Sequence, residues 1–123
     1  MPQGCSGGHL DSDLYIELEK AREATDQANI RSAMSELQSD YLTEATAPTS
    51  QEGNIQYAKG TDANTYATAT ITLTQKNDGW SDSTAHQVGN LTIKRDATEN
   101  GIGAGKYTVT LSSDGKFTGK YTK

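Results

Sequence analysis

Few side chains in this sequence could do chemistry. There is one cysteine, Cys5, and there are two histidines, His9 and His86. Cys5 and His9 belong to residues 1–11, where Gly4, Gly7 and Gly8 crowd around Cys5 and Ser6. A reactive thiol needs a neighbouring base and a shaped, electropositive site, and a glycine-rich end supplies neither. A single cysteine also closes no internal disulfide and builds no cysteine-based zinc site. His86 follows the polar run Asp82-Ser83-Thr84-Ala85 and reads as a solvated loop histidine. Serines and aspartates are scattered, with no spacing that sets up a Ser-His-Asp or paired-carboxylate site. The expectation is a protein without catalytic residues.

The richest oxygen cluster is Asn77-Asp78-Gly79-Trp80-Ser81-Asp82-Ser83. Hard cations want six to eight oxygens, so calcium is the ion such a cluster would suit. The register is not that of an EF-hand, and Asn-Asp-Gly is first of all a turn signal. Asp78 and Asp82 are therefore only weak metal candidates, and neither a metal nor a cofactor is expected. Trp80 reads as packing over a sheet edge, with sugar stacking as the alternative. Gly101-Ile102-Gly103-Ala104-Gly105 resembles a phosphate loop only superficially. The spacing misses the dinucleotide fingerprint and a strand pattern follows it, so it reads as a flexible connection. Asn90-Leu91-Thr92 fits a glycosylation sequon but lies within a strand pattern.

The elements that must position these residues are a helix and a sheet. Residues 12–45 predict one long helix, capped by Asp11 or Ser12 and stopped by Pro48. About 32 residues at 1.5 Å each give roughly 48 Å. That exceeds the roughly 30 Å width of a compact domain of this size, so part of the helix must project. Ile30, Met34, Leu37 and Tyr41 recur at steps of 4, 3 and 4 and make a stripe suited to lie on a sheet. Leu14, Leu18, Ala21, Thr25 and Ala28 continue at such steps with smaller side chains, a stripe suited to helix–helix contact. Residues 46–65 read as a connection that includes a short strand over 54–59.

Residues 66–123 alternate with period two. Ala67, Ala69, Ile71 and Leu73 face one way and Thr68, Thr70, Thr72 and Thr74 the other. Leu91 and Ile93, then Val109 and Leu111, then Phe117 and Tyr121, repeat the pattern. A three-residue loop Ser113-Asp114-Gly115 with Gly115 left-handed sets Leu111 opposite Phe117. It also sets Val109 opposite Gly119 and Tyr107 opposite Tyr121. The predicted fold class is α+β: a long N-terminal helix laid by its C-terminal half on an antiparallel sheet of three to five strands. Its head core is Ile30, Met34, Leu37, Tyr41, Ile71, Leu73, Leu91, Ile93, Val109, Leu111 and Phe117, and the first half of the helix is free.

Composition agrees with a thin core. Leu, Ile, Val and Phe make up 17 of the 123 residues. The formal net charge of -5 is too small to swell the chain into disorder. An acidic balance with a pI near 4.9 leaves no nucleic-acid footprint. No run of 18 apolar residues offers a membrane span. Residues 1–11 also lack the plan of a signal peptide and read as an added flexible leader, with residues 12–123 as one domain.

A projecting N-terminal helix with a β-sheet head resembles the type IV pilins and pseudopilins. The stretch Glu19-Lys20-Ala21-Arg22-Glu23-Ala24-Thr25-Asp26-Gln27-Ala28-Asn29-Ile30-Arg31-Ser32-Ala33 is similar to the segment just after the membrane span of Gram-positive, clostridial-type pilins. There, Lys-Ala-Arg is followed by spaced alanines. The resemblance covers residues 15–41 in sequence and the remainder in architecture. The family's cleavage site and apolar half-helix have no counterpart here, so the chain reads as a soluble fragment of the full protein. It also lacks the cysteine pair that closes the C-terminal loop of many Gram-negative members.

The resemblance implies a structural subunit that is membrane-anchored through the missing segment, cleaved by a prepilin peptidase and polymerised on the cell surface. Its partners would be other pilin subunits and the pilus assembly machinery. Leu14, Leu18, Ala21, Thr25 and Ala28 would face neighbouring subunits, while the fragment alone stays monomeric. Adhesion, twitching motility or DNA uptake would be the use. A pseudopilin of type II secretion or DNA uptake is the alternative within the family. A small extracellular carbohydrate- or protein-binding module is the alternative outside it.

Overall fold

The computed structural model describes residues 7–82 and 84–123, with side chains from Leu14 onward. One helix, α1 (Gly7–Leu42), precedes seven strands: β1 (Gln51–Glu52), β2 (Ile55–Lys59), β3 (Thr65–Thr72), β4 (His86–Val88), β5 (Leu91–Ile93), β6 (Lys106–Ser112) and β7 (Phe117–Thr122). Five strands form an antiparallel sheet in the order β1-β2-β3-β6-β7, and β4 and β5 pair with each other. The class is α+β, one helix packed on an antiparallel sheet.

The helix starts earlier and ends sooner than its sequence signals suggest. Of the expected leader, residues 7–11 are helical and residues 1–6, with Cys5, lie outside the described residues. Asp11 and Ser12 are thus inside α1 and do not cap it, because a nucleated helix gains a hydrogen bond per added residue and nothing here breaks it. At 36 residues α1 is about 54 Å long. Its end is set before Pro48 by a Schellman motif. Ala45 N–H donates to Asp40 O (2.9 Å) and Glu44 N–H to Tyr41 O (3.1 Å). Glu44 takes the left-handed conformation this motif needs, with φ +57°.

The sheet follows the period-two pattern. Ala67, Ala69 and Ile71 are buried, while Thr68 and Thr70 between them are half-buried on the outer face. The alanines keep the middle strand low, so α1 lies across β3 and β6. The β6–β7 hairpin has the expected register, Leu111 opposite Phe117, Val109 opposite Gly119 and Tyr107 opposite Tyr121. Its loop carries Gly115 at φ +89°, and Ser112 N–H donates to Lys116 O (2.9 Å). The 46–65 connection supplies β1 and β2, and the latter pairs with β3 along its whole length.

All eleven expected head-core residues belong to one cluster or pack against it, with Tyr41, Leu91 and Phe117 at its margin. Trp80, Ile102, Tyr57, Tyr107 and Tyr121 join them. Leu91 and Ile93 belong to a separate small hairpin instead of the main sheet, with Gly89 at φ +62° in its two-residue turn.

The glycine-rich 101–105 loop is packed, contrary to the expectation of a flexible connection. Ile102 is fully buried, its N–H donates to Asp96 O (3.0 Å), and its carbonyl accepts from Gly79 N–H (2.8 Å). Gly101 is required by close approach, since a Cβ there would lie 1.6 Å from Asp96 O.

Candidate functional site

The two halves of α1 meet the rest of the molecule differently. From Ile30 onward the inward face is apolar: Ile30, Ala33, Met34 and Leu37 are buried. The same face continued toward the N-terminus carries Asp26, Glu23 and Glu19, at steps of 4, 3 and 4 from Ile30. All three carboxylates are buried, at 0, 5 and 4% exposure. The expectation of a free first half is therefore corrected: from Glu19 onward the helix is docked.

What docks it is the backbone of residues 74–81, where β3 has left the sheet and its amides need new acceptors. Asp26 Oδ1 accepts from Thr74 N–H (2.7 Å) and Thr74 Oγ1 (2.8 Å), and its Oδ2 accepts from Gln75 N–H (3.0 Å). Glu19 Oε2 accepts from Lys76 N–H (3.1 Å) and Asn77 N–H (2.9 Å). Glu23 Oε2 accepts from Ser81 N–H (2.9 Å) and Ser81 Oγ (2.5 Å). Charge-assisted bonds of this kind are the stronger class, so three carboxylates replace an apolar contact. Arg22, one turn on, pairs with Glu19 (3.4 Å). Asp26 spends its oxygens on Thr74 and the Gln75 backbone. Gln75 braces the segment from inside, its Nε2 donating to Asn77 O (3.0 Å) and Gly79 O (2.9 Å).

His86 opens β4 and is half-buried, not a solvated loop residue. Its ring lies 4.5 Å from that of Trp80, its Nε2 is 3.0 Å from Asp82 Oδ1, and its Nδ1 is 3.2 Å from Gln27 Nε2. With Gln27 donating to Nδ1, the proton sits on Nε2 and is given to Asp82. That hydrogen bond holds the Asp82 carboxyl below its usual range. The arrangement pins the β4–β5 hairpin to the helix. Trp80 is 1% exposed and its Nε1 donates to Ile93 O (3.0 Å), so a stacked sugar at Trp80 is ruled out.

The two weak metal candidates do not converge. Asp78 accepts from Ala104 N–H (3.2 Å) and faces Lys123 Nζ (3.7 Å), whereas Asp82 is held by His86. Among the described residues no three His, Cys, Asp or Glu side chains form a group that could hold a metal ion. Ser83, the last of the oxygen cluster, lies outside the described residues, as does the side chain of His9.

The remaining face of α1 is open. Leu14, Leu18, Ala21, Thr25 and Ala28 are all exposed, on the side turned away from the buried carboxylates. Tyr15 and Ile16 are exposed as well, so four large apolar side chains stand in solvent within five residues, Leu14 to Leu18. An exposed apolar cluster of this kind is a candidate interaction surface. No described helix is long and apolar enough to cross a membrane. Comparison of the chain with protein-family models, curated proteins and solved structures finds no match.

Proposed function

We propose that this chain is the head and helix of a type IV pilin-like subunit, a structural, non-catalytic building block of a cell-surface filament. The observation that carries the reading is the exposed apolar end of a helix that outruns its sheet. Leu14, Tyr15, Ile16 and Leu18 are 57, 70, 49 and 41% exposed. Fully burying a large apolar side chain is worth about 1.5–3 kcal/mol, so four of them strongly favour a site among other helices. The small, uncharged stripe Ala21, Thr25 and Ala28 extends that surface and admits a second helix closely. In this reading the helices bundle at the filament centre, the heads form its wall, and an apolar segment upstream anchors the subunit before assembly. The sheet's threonine face suits a solvated outer wall.

Antibodies raised against the 123-residue chain test this on cells of the source organism. Gold label along surface filaments is the expected result. Label spread over the envelope with none on filaments overturns it. The chain alone should sediment as a monomer, because four large side chains and a stripe of small ones fall short of the area a stable dimer buries. A tight dimer that persists in reducing buffer would count against the proposal.

A further inference from the structure

A notch of about 350 Å³ lies on the flank of the head, between the C-terminal half of α1 and the tips of the β4–β5 and β6–β7 hairpins. Its size is at the lower end for small-ligand sites. Arg31, Ser35 and Gln38 line it from one helix stripe, and Asn90 faces them from the β4–β5 tip. Met34 and Phe117 supply the apolar surface. Both tips carry glycine at positive φ, and this brings them close to the helix: a Cβ on Gly89 would lie 2.8 Å from Met34 Cε, and one on Gly115 3.2 Å from the Tyr41 ring.

The chemistry of the lining is selective. The chain is acidic overall, yet no lining residue is acidic. Arg31 has no acidic partner among the described residues, and its Nη2 lies 3.5 Å from Gln87 O at the rim. A guanidinium that donates to one carbonyl and has no acidic partner is matched to a carboxylate. Gln38 and Asn90 offer donors and acceptors together and Ser35 a hydroxyl, which suits a ligand dense in hydroxyl groups. Met34 and Phe117 suit the C–H face of a ring.

We infer that this notch binds an acidic monosaccharide unit, with its carboxylate on Arg31, its hydroxyls on Gln38, Ser35 and Asn90, and its ring face over Phe117 and Met34. The inference stands on the notch alone and does not depend on the filament reading.

Amide chemical-shift titration of the 123-residue chain with sodium glucuronate, glucose and sodium acetate tests it. A ligand of about a dozen non-hydrogen atoms on an open site binds in the millimolar range. Glucuronate should give saturable shifts confined to the two hairpin tips and residues 31–38. Glucose should bind more weakly, and Arg31→Gln should weaken glucuronate about tenfold or more. Absence of saturable shifts, equal affinity for glucose, or equal affinity in Arg31→Gln overturns the inference. Acetate reproducing the same shifts at the same affinity also overturns it, by reducing the site to a bare carboxylate spot. If Arg31→Gln loses its dispersed spectrum, Asn90→Ala replaces it and must weaken glucuronate without moving acetate.

Discussion

One helix is docked to one body by two kinds of chemistry. Its C-terminal half is held by apolar burial of Ile30, Ala33, Met34 and Leu37 against the sheet. Its middle is held by Asp26, Glu23 and Glu19, whose carboxylates accept from the backbone of residues 74–81. The helical phase is the same in both regions and only the partner differs. A regular sheet satisfies its own amides and presents side chains, so an apolar stripe suffices. An irregular segment presents amides, so the helix must bring acceptors. Apolar packing is spread over many small contacts, whereas the carboxylate contact rests on a few directional bonds.

The largest effect should come from breaking the apolar half. Leu37→Ala removes a fully buried side chain and should cost about 3–4 kcal/mol, read as a lowered urea midpoint. Amide exchange should then speed up throughout the sheet, because that contact holds the two layers together. Asp26→Ala strips the acceptor from Thr74 N–H, Thr74 Oγ1 and Gln75 N–H. It should cost about 2–3 kcal/mol. The exchange pattern separates the two: here the gain should be confined to residues 74–77, and Asp26→Asn should recover part of it. If Asp26→Ala speeds exchange across the whole sheet, the two regions are not distinct.

The sequence made one of these regions legible and hid the other. Ile30, Met34 and Leu37 declare themselves by type as well as by spacing, and the Thr/apolar alternation places β3 and β6 on both faces. The β6–β7 register could be derived because Gly115 admits only one loop that keeps Leu111, Val109 and Tyr107 on one face. Glu19, Glu23 and Asp26 keep the same spacing, but their type is that of a solvated helix surface. Only the phase, carried back from Leu37 and Ile30, marked them as inward-facing. Their partners were unreadable, because backbone amides of a segment without regular structure leave no trace in residue type. The 101–105 loop hides its packing for a related reason: its glycines serve close backbone approach, which looks like flexibility when only composition is seen. Of the candidate surface, the exposed stripe from Leu14 to Ala28 was visible as a pattern, while the notch beside Arg31 depends on two hairpin tips distant in sequence.

The apolar region carries its own response to alkali. Burial is the largest cause pushing both Tyr57 and Tyr107 up to about 12, with Glu52, Glu36 and Asp40 adding repulsion at Tyr57. An unfolded tyrosine ionises near 10. Because the folded values are higher, stability is intact below about pH 10 and is lost as pH rises toward 12. Tyrosinate absorbance against pH should show Tyr57 and Tyr107 ionising last, together with loss of tertiary circular dichroism, and burial also raises Tyr66 and Tyr121. Tyr57 and Tyr107 ionising near pH 10 in a still-folded chain would mean that the apolar contact is more open than described.

The smallest expected effect lies where the apolar half stops. Glu44 holds φ +57° as the left-handed residue of the Schellman motif, a conformation in which a Cβ is crowded and glycine is not. Glu44 is exposed, so no packing offsets the strain. Glu44→Gly relieves it but adds freedom to the unfolded chain, and the two act in opposite directions. With the Ala45–Asp40 and Glu44–Tyr41 bonds retained, the relief should win by about 0.5–1 kcal/mol, read as a raised urea midpoint at unchanged slope. The gain should add to the loss in Asp26→Ala, since the sites are five helical turns apart and share no partner. It should be coupled to Leu37→Ala, two turns away, if the apolar half unfolds as one unit from its C-terminal end. Additivity with both variants would mean that this helix end frays independently of the core it leads into.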